Sequence, residues 1–111
     1  MTAAEFKARL LTALQSHFPD AKVKVEEKRG VVISIRAEIA AGELIQAYFS
    51  SITHKTSYAL IRSGQRILGY DNYRFWHKHP SDSPDAHQKC DEPSPESVMA
   101  EIHDVHLRLC E

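Results

Sequence analysis

His77-Lys-His79, followed by Asp82, Asp85, His87, Lys89, Cys90 and Asp91, crowds imidazoles, carboxylates, ammonium groups and a thiol into one stretch. That stretch, GYDNYRFWHKHPSDSPDAHQKCDEPSPES at residues 69–97, also holds the only tryptophan and four of the five prolines. So much proline argues against a helix or a strand there. Three readings are open. His77 and His79, two apart, with His87 and Cys90, three apart, form a potential four-ligand N/S set for zinc. Against it, this spacing is not one that recurs in structural zinc modules, and Pro80 and Pro84 restrict how the chain could wrap an ion. Alternatively, imidazoles can pass protons at neutral pH, and Lys78 or Lys89 can stabilise negative charge developing on a phosphate. RNA brings its own nucleophile in the 2′-hydroxyl, so its cleavage needs no metal. The third reading is a polar loop that faces water.

The flanking residues divide in the same way. Tyr70-Asp71-Asn72 stands where a strand would leave a sheet, and Asp and Asn commonly turn a chain by accepting backbone N–H groups. In the functional version Asp71 orients a loop histidine. Tyr73, Phe75 and Trp76, with Arg74 among them, can stack bases or anchor the loop to its own domain. Phe75 reads as an anchor, and Trp76 fits either role. Cys90 has no activating neighbour beyond Lys89 and is not read as a nucleophile.

The elements that must position these residues are legible on either side. Thr2-Ala-Ala-Glu5 has the spacing of a capping box. Phe6, Leu10, Leu14 and Phe18 recur at helical spacing beyond it, and Pro19-Asp20 ends the helix. Val23 and Val25 precede a turn at Lys28-Arg29-Gly30. Val31, Ile33, Ile35, Ala37 and Ile39 then occupy every second position, as in a strand with one buried face. Leu44 to Ile52 reads as a third strand, with a helix as competitor, and SYALIR and QRILGY flank a Ser63-Gly64 hairpin turn. Ser94-Pro95-Glu96 opens a closing helix with an apolar stripe of Val98, Ile102, Val105 and Leu109. His106 falls off that stripe and is expected in solvent, His103 sits at its border, and His17 and His54 lie at element ends.

The expected fold is therefore α+β: an N-terminal helix, an antiparallel meander sheet of about five strands, a long His/Pro-rich loop and a C-terminal helix. One sheet face is covered by the helices; the other is open or meets a partner. At 111 residues and 12.6 kDa, residues 1–111 read as a single domain. A net charge of −1 does not advertise nucleic-acid binding. No secretory signal or membrane span is read, two cysteines make no disulfide framework, and the expected location is cytoplasmic. No cofactor is expected.

YALIRSGQRILGYDN, the histidine- and proline-rich loop and SPESVMAEIHDV together resemble the small TumE-type proteins of toxin–antitoxin modules. The resemblance covers about residues 45–109, with the N-terminal helix and first strands matched only by order. His77, His79 and His87 correspond to histidines of the family's loop, and Lys89 to a lysine between them. Cys90 stands where the family pattern often has a further histidine, Gln88 interrupts the cluster, and Ser81 to Pro84 read as an insertion. The resemblance implies a toxin, ribonuclease-like and acting on RNA, with an antitoxin from an adjacent gene as partner; a homodimer is also compatible. In that reading His79, His87 and Asp71 are the catalytic candidates. Lys89, His77, Tyr70, Asn72, Arg74 and Trp76 are the candidates for substrate contact. The contrasting reading is a non-catalytic domain that docks a partner protein through its sheet face and loop.

Overall fold

The computed structural model describes residues 1–110. Helix α1 (Ala3–His17) starts at the expected capping box: Thr2 Oγ1 accepts from the Glu5 N–H at 3.1 Å, and Glu5 Oε1 accepts from the Thr2 N–H at 3.2 Å. Helix α2 (Pro95–Leu109) starts at Ser94, whose hydroxyl accepts from the Ser97 N–H at 3.0 Å. The reciprocal bond at this end comes from the Ser97 hydroxyl, which accepts from the Ser94 N–H.

Between the helices runs an antiparallel meander in which each strand pairs with its sequence neighbours. The strands are β1 (Lys22–Lys28), β2 (Val32–Ala40), β3 (Glu43–Ser50), β4 (Thr56–Arg62), β5 (Gln65–Asp71), β6 (His77–His79) and β7 (Gln88–Lys89). The third segment is thus a strand, ending before the exposed Ile52. Ser63 and Gly64, between paired Arg62 and Gln65, take positive φ, the pairing that two-residue hairpins need to match strand twist; Arg29 and Gly30 do the same in the three-residue connection between Lys28 and Val32.

The sheet has seven strands where the sequence suggests about five. The extra two come from the proline-rich stretch, where His77–His79 pairs with β5 and Gln88–Lys89 pairs with β6. Runs of three and two residues are too short to display alternation, so their pairing is decided by the free edge of β5. The prolines shape the connection. Successive turns, Ser83 N–H to Pro80 O at 3.1 Å and Ala86 N–H to Ser83 O at 2.9 Å, fold residues 80–86 back and return His87 to the sheet.

Alternation then sorts the sheet into two faces. One row across all the strands is Val25, Ile35, Ala47, Tyr58, Tyr70, Lys78 and Gln88. That side carries the core, closed by Phe6, Leu10 and Leu14 of α1 and by Val98, Met99, Ile102 and Val105 of α2. Phe6 stacks on Phe49 with centroids 5.1 Å apart. The opposite side is uncovered by helix. Its adjoining rows are Glu26, Ser34, Tyr48, Ser57, Asp71, His77 and Lys89, and Lys24, Arg36, Gln46, Ala59, Gly69 and His79.

His106 departs from expectation. It is largely buried, with Nδ1 2.5 Å from Oε2 of Glu43, itself buried at the start of β3. A buried carboxylate needs a partner, and the end of α2 supplies one that the helical stripe does not reveal. His103 borders the stripe as expected, its ring edge-on to Phe18 at 5.4 Å.

Candidate functional site

Asp71 is the last residue of β5, and alternation places its side chain on the uncovered face, directly opposite His77. The two carboxylate oxygens take one histidine each. Oδ1 lies 3.0 Å from Nε2 of His77, and Oδ2 lies 3.4 Å from Nε2 of His79. Oδ1 also accepts from the Tyr73 N–H at 3.1 Å. The turn-making role and the histidine-orienting role that the sequence leaves as alternatives are thus combined in one side chain. Nδ1 of His77 lies 3.2 Å from the carbonyl of Phe75.

Both histidines are buried, His79 with 2% of its surface exposed, although they sit on the face without helices. The turns over residues 72–75 and 80–87 cover them. His87 comes down from the second of these, itself exposed, with its ring 4.5 Å from His79 and 5.1 Å from His77. One nitrogen from each of the three rings lies within 4.8 Å of the others. The loop histidines named from sequence therefore converge.

Arg66 completes the cluster, and nothing in its local sequence singles it out. By simple alternation from Leu68 it would point to the helices. A β-bulge between Leu60 and Ile61 shifts the register so that Arg66, not Ile67, pairs with Ile61. Arg66 is thereby turned to the uncovered face, and its Nη2 lies 3.1 Å from Nδ1 of His79. A guanidinium only donates, so Nδ1 must carry the lone pair, and the His79 proton is on Nε2 facing Asp71. Burial, followed by the charge of Arg66 and the neighbouring His87, lowers the pKa of His79 below the ordinary 6.5. The arginine passes over Gly69, where an added Cβ would stand 3.0 Å from its Cδ.

A cleft of about 530 Å³ opens above, lined by Arg66, Asp71, Tyr73, Arg74, Phe75 and the three histidines. Arg74 is exposed at its wall, with its guanidinium 5.5 Å from the Tyr73 ring centre. Lys89 lies across from His77, its Nζ 5.7 Å from the centre of the Phe75 ring. Charge in the cleft is therefore positive at its rim and negative only at Asp71.

Other residues named from sequence lie elsewhere. Tyr70 points to the helix side, where its hydroxyl donates to Glu101, which also takes Lys78. Burial, helped by Glu101, pushes the Tyr70 hydroxyl up to about 12. Asn72 is a staple: its Oδ1 accepts from the Thr56 N–H at 2.9 Å and its amide donates to the His54 carbonyl at 2.7 Å. Trp76 packs against the core and donates from Nε1 to Glu92 at 3.2 Å. The four-ligand set of His77, His79, His87 and Cys90 is not assembled. Cys90 follows Lys89 and so faces the other side, where burial, then Asp91, raises its thiol pKa.

The fold and site define a small α+β protein whose bare sheet face ends in a cleft of converging imidazoles at the β5–β7 edge. The family model described as Toxin TumE matches residues 7–109, and the chain belongs to that family, the toxin side of a toxin–antitoxin module. The match reaches back through most of α1, well beyond the residues that carry the resemblance in the sequence. No curated protein and no solved structure matches the chain. No helix among the described residues is long and apolar enough to cross a membrane.

Proposed function

We propose that this toxin cleaves RNA in its histidine cleft by metal-independent acid–base chemistry. The observation that carries this reading is the linked set Asp71–His79–Arg66 with the exposed His87 ring 4.5 Å away. A scissile phosphate entering the cleft attracts Arg66, which leaves Nδ1 of His79. The freed lone pair takes the proton of the 2′-hydroxyl as its oxygen attacks phosphorus. Protonated His87 gives its proton to the departing 5′-oxygen, leaving a 2′,3′-cyclic phosphate and a free 5′-hydroxyl. Asp71 holds the His79 ring in register and stabilises it when it becomes charged. Arg66 and Lys89, with Arg74 at the rim, offset the charge that builds on the phosphoryl oxygens. His77 braces Asp71 from the other side. Tyr70, Asn72 and Trp76 contribute by holding the cleft's frame.

A fluorogenic RNA incubated with the purified protein in excess chelator tests this. Cleavage with a cyclic-phosphate product is expected, and His87→Ala should lower it by about 10²-fold or more. Undiminished cleavage by the doubly substituted protein, His79→Ala with His87→Ala, would sink the assignment.

The mixed charge of the uncovered face, with Lys24 and Arg36 beside Glu26, favours a second use of the same sheet. On this reading the antitoxin docks there. If docking were the whole function, RNA would remain intact with every variant while the antitoxin complex still formed.

A further inference from the structure

We infer that the three imidazoles also form a binding site for a single transition-metal ion of the zinc class. It would be held by one nitrogen each from His77, His79 and His87, with the fourth position open to solvent. Their nitrogens already lie within 4.8 Å of one another. Around a four-coordinate ion with Zn–N bonds of about 2.0–2.1 Å the nitrogens stand roughly 3.3 Å apart, so the rings need close by no more than about 1.5 Å. His77 and His79 are fixed on one strand, and the exposed His87, at the end of its turn, can make up the difference.

Two further features favour such an ion. Asp71 engages Nε2 of His79, and an orienting carboxylate behind the ring is the usual companion of a metal-binding imidazole; His77, with Nδ1 3.2 Å from the Phe75 carbonyl and Nε2 3.0 Å from Asp71, gives up one of those contacts to ligate. The lone pair of His79 Nδ1 is also preserved, because its present partner is a pure donor. Arg66 thus occupies the place that a metal cation would take, and the two compete. Arg66 is exposed and, among the described residues, its only other side-chain bond is to the Pro84 carbonyl at 3.4 Å, so it can swing out. An all-imidazole set suits zinc, copper or nickel rather than magnesium or calcium. The consequence for activity rests on the RNA-cleavage reading: a bound ion uses the same lone pairs that move protons, so it silences the toxin.

Full-length protein stripped with chelator and titrated calorimetrically with zinc chloride should bind one ion. His87→Ala, at an exposed position, should weaken binding at least tenfold. Asp71→Asn should weaken it by about tenfold or more, and Arg66→Ala should tighten it severalfold. Magnesium chloride should give no heat of binding. His103→Ala is the control for the separate pair of rings, His17 and His103, whose centroids lie 5.1 Å apart. Absence of one-to-one binding, affinity unchanged in His87→Ala, or loss in His103→Ala instead would overturn the site; unchanged affinity in Arg66→Ala would overturn the competition. Zinc should suppress RNA cleavage, and chelator should restore it. If RNA is never cleaved, the calorimetry still decides the metal site; if zinc does not bind while chelated protein cleaves RNA, only the cleavage reading survives.

Discussion

His79 concentrates the logic of the cleft. Its ring is 2% exposed, its N–H faces Asp71 and its lone pair faces Arg66. Burial, then the charge of Arg66 and the neighbouring His87, disfavour the charged ring, and the lowered pKa has a consequence for stability. Between the ordinary value of 6.5 and the lowered folded value, the unfolded chain binds the extra proton and the native state does not. Stability from this group is therefore complete above about pH 6.5 and falls as pH drops below it. Urea unfolding at pH 7.5 and 5.5 should show a steeper loss for the wild type than for His79→Asn. Equal slopes would mean that His79 titrates normally. The same neutral ring is the form that can accept a proton from a substrate or a bond from a metal.

At the scale of elements, the decisive feature is the irregular start of β5. The bulge re-aims Arg66, and Gly69 leaves the floor low enough for the guanidinium to cross toward His79. A methyl at residue 69 would press on Arg66 Cδ at 3.0 Å and on the Tyr58 carbonyl at 3.3 Å. The flexible arginine yields more readily than backbone. Gly69→Ala should therefore reproduce the cleavage defect of Arg66→Ala while changing stability by no more than about 1 kcal/mol. A variant with wild-type cleavage would show that the path over Gly69 is immaterial. The short strands β6 and β7 matter for parity: with His77 and His79 two apart, both face the cleft, and Lys78 between them turns to Glu101.

For the whole molecule, the asymmetry between the two faces organises everything else. Both helices lie on one side, so a single core covers that face and leaves the other to carry polar rows. Ile102 is 1% exposed at the centre of α2, and replacing it by alanine should cost about 2–5 kcal/mol. Because that is a large fraction of the roughly 5–15 kcal/mol typical of a domain, the loss should appear as one cooperative shift in urea midpoint. The cleft should remain intact in the folded fraction, with unaltered zinc stoichiometry. A second, separate transition for the β5–β7 edge would show that the cleft folds independently of the core.

The helices, the first five strands and the turns were legible because local rules govern them. Thr2 and Ser94 cap helices whatever surrounds them, Ile33, Ile35 and Ala37 alternate, and Ser63-Gly64 has the chemistry of a tight hairpin. His77, His79, His87 and Asp71 were also legible as candidates, since residue type alone confines proton transfer and ligation to a few side chains. Tertiary structure alone decided which of them meet. Pairing on the free edge of β5 turned part of a proline-rich loop into strands, and strand parity then put the three histidines and Lys89 on one face and Cys90 on the other. It also brought Arg66 onto His79 and His106 onto Glu43. These contacts join residues distant in sequence or displaced by a bulge, and no local periodicity encodes them. Sequence determined which chemistry was available; long-range packing determined which groups could share it.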